Sequence, residues 1–409
     1  MRRVVVTGMA GISPLGCDWG DVRRALRAGT TGVTRMPEWA AYRGLNTLLG
    51  APAAPFDLPA EDYPRKALRA MGRVSLMAVR ASDLALRDAG LRGHAVLGKG
   101  LTGVAFGSSA GSPEAVGEFA RMLLEKSTEG LTATTYLRMM PHTTAVSVAV
   151  YFGLKGRVYT TSSACTSGSQ AIGYAYEAIR SGRQTLMLAG GSDELSPAAA
   201  AVFDTLFATS VRNDDPLGAP RPFDRDRDGL VVGEGAATLV LEDLEHALAR
   251  GARIHAELVG FGTNCDGAHV TSPEAATMAE AMRLALKDAD LGPAEVGFVN
   301  AHGTATDQGD ITETAATAQV FGRPVPIASL KSYMGHTLGA CGALEAWMGI
   351  GMLNEGWVAP TLHLDHPDER CAPLDYVRGS WRPLETGVMM TNNFAFGGIN
   401  TSLIFKRWR

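Results

Sequence analysis

The order of elements along this 409-residue chain predicts an α/β fold with its sheet at the centre. Short β-branched runs alternate with longer stretches of helical periodicity, the pattern of a sheet covered by helices. The apolar runs are near-continuous rather than strictly alternating, which suits strands buried on both faces. The 48 glycines exceed the roughly 7% share of an average protein and imply many tight turns and close backbone approaches.

VVVTG near the start reads as a first strand, and helical periodicity follows over residues 71–89. Further strands are expected at 101–106, 158–164, 185–189, 237–241, 254–260, 296–301, 326–330 and 388–393, with helices at 167–181, 275–289 and 343–354. Residues 210–229 (SVRNDDPLGAPRPFDRDRDG) are too rich in Pro, Asp and Gly for an element interior and read as a long ordered surface loop. The length exceeds what one ordinary core organises. A similar series of strands and helices recurs on either side of about residue 250, so the expected organisation is two halves, 1–250 and 251–409.

Apolar residues at 46% and charged residues at 20% are globular values. A net charge of −4 gives no reason to expect nucleic acid as a partner. The five cysteines are odd in number, far apart and without a C-x-x-C pair, which fits reduced thiols in a cytoplasmic protein. The apolar run after Arg2 and Arg3 is short and dissolves into Gly and Ser, as a strand does rather than a leader. The longest uncharged stretches, 139–154 and 158–176, carry Pro141, His142 and many Ser and Thr, so neither is expected to span a membrane.

In GRVYTTSSACTSGSQAIGYAYEAIRSG a β-rich run gives way to helical periodicity just beyond Cys165. The thiol is expected at a strand-to-helix corner, where unpaired N–H groups lower a cysteine pKa and stabilise an oxyanion. The competing reading is a small core cysteine, against which the Ser and Gly crowding leaves room for a substrate. His302 in VGFVNAHGTATDQGD follows an apolar strand directly, where side chains of α/β proteins reach ligands. His336 in SLKSYMGHTLGACGALEAW occupies the equivalent corner, with Lys331 nearby. Either histidine alone is more often a satisfied bystander than a catalyst. A zinc site is not supported, because no H-x₃-H or carboxylate cluster accompanies them.

Together SSACTSGSQ, PFDRDRDGLVVGEGA, NAHGTATDQGD, SLKSYMGHTLGACGALEA and NNFAFGGIN resemble the elongating β-ketoacyl-acyl-carrier-protein synthases of fatty acid and polyketide synthesis, across nearly the whole chain. The resemblance implies a thiolase-like fold of two related halves layered α-β-α-β-α, and usually a dimer. It implies that Cys165 takes the acyl chain, with the backbone N–H groups of Cys165 and Phe396 binding the carbonyl oxygen. His302 and His336 then stabilise the enolate left as malonyl thioester loses carbon dioxide, and Lys331 supports them. It also assigns Thr304, Thr306, Ala110 and His269 to substrate binding, Ala110 at a position that limits pocket depth, with residues 136–140 completing that pocket from a partner subunit. Glu345 is linked to Lys331, Glu313 and Asp310 are structural or ion-binding, and Phe396 gates the site. Ala395, where many relatives have Gly, narrows the backbone choices of that gate. No cofactor is implied, since the substrates carry their own phosphopantetheine.

Arg65, Arg69 and Arg73 recur at four-residue spacing beside Lys66, which places them on one face if helical. A solvated face is the ordinary explanation of such a run. The resemblance raises Lys66, Arg69 and Arg212 as docking residues for an acidic acyl carrier protein. Thiolases need a second cysteine near the C-terminus that NNFAFGGIN does not offer. Initiating synthases that accept acyl-coenzyme A use Asn in place of one His. Chain-length-controlling subunits lack the nucleophile, although one could pair with this chain in place of a second copy.

Overall fold

The computed structural model describes residues 1–409, and eleven of its strands form one sheet. In chain order these are β1 (Val4–Ile12), β2 (Thr102–Gly107), β3 (Val158–Thr161), β4 (Leu186–Asp193), β5 (Gly235–Asp243) and β6 (Ala256–Cys265). They continue with β7 (Phe298–Asn300), β8 (Pro326–Ala328), β9 (Asp375–Tyr376), β10 (Val388–Ala395) and β11 (Ile399–Arg407). The helices that position the site are α1 (Arg73–Asp88), α2 (Thr143–Phe152), α3 (Ser167–Arg180), α4 (Pro197–Asp204), α5 (Ala275–Ala289), α6 (Asp307–Phe321) and α7 (Cys341–Glu355).

The sheet runs β9-β8-β7-β10-β11-β6-β1-β5-β4-β2-β3. With β9 set aside, each half repeats one order: third, second, fourth, fifth, first. Strand senses repeat as well. The pairs β2/β3 and β2/β4 are parallel while β4/β5 and β5/β1 are antiparallel. Likewise β7/β8 and β7/β10 are parallel while β10/β11 and β11/β6 are antiparallel. The halves meet where residues 4–6 of β1 pair with 256–258 of β6.

Side-chain alternation along the strands builds the layers. In β4, Met187 and Ala189 face a central core shared with α3 and α7, while Leu186 and Leu188 face an outer core under α1 and α2. In β10, Met389 faces the same central core and Met390 an outer one under α5 and α6. Helix α7 is buried over residues 341–353, as a helix apolar on all sides should be. The result is the α-β-α-β-α thiolase-like arrangement.

The elements expected from the sequence have the expected types with several boundaries shifted, while β11, α2, α4 and α6 lie where no element was expected. The strand expected at 158–164 ends at Thr161 and that at 326–330 ends at Ala328, because the chain must turn before each catalytic corner. The basic stripe is broken: Arg65 and Lys66 lie in a short helix, Arg65–Leu68, that stops before Gly72, and Arg73 opens α1. Arg73 is drawn instead onto Glu234, at 2.6 Å. No helix is long and apolar enough to cross a membrane.

Candidate active site

Two equivalent corners build the site. After β3 a single 3-10 turn, Ala164–Thr166, leads into α3; after β8 a short helix, Lys331–Met334, comes before the 3-10 turn Leu338–Ala340 that leads into α7. Each turn opens on a non-glycine residue in the left-handed region, Ala164 at φ 49° and Leu338 at φ 52°. Such backbone costs roughly 1–2 kcal/mol per residue and needs enforcement by its surroundings. The Ser and Thr crowding around Cys165 supplies it. Thr161 Oγ1 donates to the Ser167 carbonyl at 2.7 Å, Ser167 Oγ to that of Ala164 at 2.7 Å, and the Ser163 N–H donates to Ser167 Oγ at 2.9 Å. These hydroxyls stitch the corner, rather than only leaving space beside it.

His336 Nε2 lies 2.9 Å from Cys165 Sγ, and the rings of His302 and His336 meet edge to face with centroids 5.2 Å apart. Behind them Lys331 Nζ sits 3.2 Å from His302 Nδ1 and donates to Glu345 Oε1 at 2.5 Å. The Asn393 amide donates to the other Glu345 oxygen at 2.8 Å. Lys331 is 1% exposed and Glu345 0%, so this is a buried ion pair in the site rather than a surface contact. Burial disfavours the Lys331 ammonium, yet the adjacent Glu345 carboxylate more than restores it.

The tautomers follow from the donors. An ammonium can only donate, so His302 Nδ1 is an acceptor and its proton is on Nε2. The Leu338 N–H donates to His336 Nδ1 at 3.3 Å, which places that proton on Nε2 as well. Burial, reinforced by the Lys331 charge, holds both histidines well below their ordinary pKa, so both are neutral at pH 7. The two rings and the Cys165 sulfur come within 4.8 Å of one another, a spacing that would suit a metal ion. Lone pairs committed to Nδ1 and a cation behind His302 argue against one.

The thiol departs from expectation. Burial pushes Cys165 up to about 12, although Lys331 and the backbone N–H groups of Cys165 and Phe396 pull it back. The corner's partial charge does not overcome desolvation, so the resting group is a neutral thiol. Those same two N–H groups are aimed at the sulfur, where a carbonyl oxygen on it would sit.

A cavity of about 410 Å³ opens onto Cys165, His302 and His336, with Thr304, Thr306, Phe396 and His269 among its walls. Thr304 and Thr306 share a hydroxyl contact of 2.8 Å, and His269 is exposed at the mouth. Glu313 accepts from the His302 and Gly303 N–H groups at 2.7 Å each, and Asp310 accepts from Phe223 N at 2.7 Å and Ala305 N at 3.1 Å. Burial raises Asp310 to about 6 and Glu313 to about 7. Phe396 packs against Phe203 with ring planes tilted by 43° and centroids 5.4 Å apart. The left-handed positions after Phe396 fall on Gly397 and Gly398, while Ala395 keeps a negative φ at the end of β10.

Ala110 is exposed on this chain and lies outside the lining of this cavity, next to Gly111, which is packed against the Met139 backbone. Residues 136–140 lie in the adjoining surface segment with Tyr136 and Leu137 exposed. Lys66 and Arg69 are exposed, whereas Arg212 is half-buried and donates to the Asp226 carbonyl at 2.8 Å. The sequence reading missed Asp193, Phe203 and Asn393. Asp193 carried a signal, an acidic residue closing the Gly-rich strand AGGSD, and Asn393 lies within NNFAFGGIN; Phe203 carried none.

Residues 1–247 match the β-ketoacyl synthase N-terminal domain and 255–365 the β-ketoacyl synthase C-terminal domain. The chain belongs to the β-ketoacyl synthase family. It is 37% identical to 3-oxoacyl-[acyl-carrier-protein] synthase 2 of Synechocystis, covering 100% of this chain and 99% of that one. A crystal structure of a β-ketoacyl synthase from Burkholderia phymatum superimposes with a TM-score of 0.98 at 61% identity, covering 100% of both chains. A type II polyketide synthase ketosynthase, solved in complex with its acyl-carrier protein and bound to the hexaketide, matches with a TM-score of 0.88 at 31% identity, again over 100% of both. This β-ketoacyl synthase is thus an acyltransferase with a Cys-His-His centre.

Proposed function

We propose that the enzyme condenses malonyl-acyl-carrier protein with an acyl group held on Cys165, releasing carbon dioxide, in the elongation of fatty acid or polyketide chains. The observation that carries this reading is the convergence of two neutral imidazoles, each with its proton on Nε2, at the Cys165 sulfur.

The neutral thiol gives up its proton as it attacks the incoming thioester, and the phosphopantetheine sulfur of the carrier takes a proton as it leaves as the free thiol. Once Cys165 is acylated, His336 Nε2–H is released from the sulfur and joins His302 Nε2–H on the malonyl thioester oxygen. The C–C bond to the carboxylate breaks, its electron pair forms the enolate, and the two N–H donors stabilise the charge developing on that oxygen. The enolate carbon attacks the acyl-Cys165 carbonyl, whose oxygen sits on the N–H groups of Cys165 and Phe396. The C–S bond then breaks as the β-ketoacyl product forms, and the departing Cys165 thiolate takes a proton from water to regenerate the resting thiol. Lys331 keeps the His302 proton on Nε2, and Thr304 and Thr306 line the path of the pantetheine arm. The substrates bring that arm with them, so no cofactor is assigned.

Lys66 and Arg69, with Arg212 nearer the cavity, are read as contacts for an acidic carrier protein. The open edge of β3 is read as the seat of a second copy or of a related chain-length-controlling subunit, in a cytoplasmic assembly. Residues 157 and 161 accept from β2, which leaves the backbone of Val158 and Thr160 facing outward beside exposed Val146 and Val150. Native mass of the purified protein separates the two partners. Intact mass after incubation with acyl-carrier proteins of graded chain length tests the chemistry: an acyl adduct on wild type and none on Cys165→Ala is expected. Full condensation by Cys165→Ala would overturn the assignment.

A further inference from the structure

The catalytic corners are held by a residue that touches neither substrate nor nucleophile. Asp193 ends β4 at the centre of the molecule and is 1% exposed. Its carboxyl group takes three donors: Ser108 Oγ at 2.8 Å, the Ser109 N–H at 3.0 and 3.1 Å to its two oxygens, and the Gly339 N–H at 2.6 Å. The first two belong to the N-terminal half, at the end of β2. The third belongs to the C-terminal half, in the turn that follows His336. A Cβ at position 339 would lie 2.6 Å from Asp193 Oδ2, so glycine is what lets the two halves approach here.

Gly339 directly follows Leu338, the residue in left-handed backbone whose N–H donates to His336 Nδ1. That donor determines which ring nitrogen of His336 carries the proton. Its orientation depends on a peptide that Leu338 would leave for a relaxed conformation if the next N–H were released. Behind His302 an ammonium performs this duty; behind His336 no charged side chain does, and the carboxyl of Asp193 holds the backbone that does.

We infer that Asp193 is a positioning residue that locks His336 in its Nε2–H tautomer through Gly339 and Leu338. This rests on His336 acting as an N–H donor in decarboxylation. A histidine in the wrong tautomer presents a lone pair to the developing oxyanion, and an analogous tautomer fault in the serine protease triad costs about 10⁴-fold in rate.

The test uses full-length enzyme with ¹⁵N-labelled histidine. In wild type the His336 ring should show protonated Nε2 and bare Nδ1. In Asp193→Asn, which keeps the side-chain size, and in Gly339→Ala, which presses on the same oxygen from the other half, the Nδ1–H form should become populated. The condensation rate constant should fall by about 10²-fold or more with KM for malonyl-carrier protein little changed. Cys165 acylation should persist, showing that the fold and nucleophile survive. Unchanged His336 nitrogen signals in both variants would overturn the lock, whatever happens to the rate. Wild type that never condenses would instead sink the functional reading, leaving the tautomer measurement to stand by itself.

Discussion

Lys331→Met should separate what the buried ion pair contributes to stability from what it contributes to catalysis. Lys331 Nζ and Glu345 Oε1 are 2.5 Å apart, and two unit charges at that distance attract by about 7 kcal/mol at an effective dielectric of about 20. Desolvation of both groups offsets much of that. Removing the lysine alone, however, leaves Glu345 buried without its cation, which costs about 3–5 kcal/mol in comparable pairs. The double variant Lys331→Met/Glu345→Gln removes the orphaned charge and should regain most of that stability. Activity should not return with it, because His302 Nδ1 has lost its donor in both proteins. Urea unfolding beside single-turnover condensation reads both quantities. A single variant destabilised by less than about 1 kcal/mol, or a double variant with restored condensation, would refute the reasoning.

Because Cys165 is held up to about 12, its alkylation rate should rise about tenfold per pH unit from 7 to 9 without a plateau, as thiolate population alone requires. A plateau below pH 9 would show a thiolate the structure does not predict. His302 is neutral when folded and takes a proton near pH 6.5 when unfolded, so unfolding binds a proton and stability is lost as pH falls below 6.5. Wild type should therefore lose stability more steeply than His302→Asn between pH 6.5 and 5, by up to about 1.4 kcal/mol per pH unit, with equal slopes in urea unfolding counting against it. Lys66→Glu and Arg69→Glu should raise KM for the carrier protein, most at low salt, while Cys165 alkylation stays intact. An unchanged KM would remove the docking role.

Much of the site was legible because its signals are local. A β-branched run, a cluster of small residues and helical periodicity together mark a strand-to-helix corner, and both Cys165 and His336 stand at one. The Arg65, Arg69 and Arg73 spacing places them on one face only if a single helix carries all three, and the chain breaks at Gly72. The hydroxyls around Cys165 were visible as residues, yet their role in closing the turn depends on hydrogen bonds made only once the corner is folded.

By itself the sequence determined the α/β class and the turns that carry Cys165, His302 and His336, since those rest on short-range propensity, while the roles of the three residues came from the resemblance of the motifs around them. Tertiary structure decided the protonation of all three. The Lys331 ammonium behind His302, the Asp193 carboxyl behind the His336 turn and the burial that keeps Cys165 a thiol come from segments far apart in the chain. Protonation depends on desolvation and on charges a few ångströms away, and neither distance exists until the two halves close on each other.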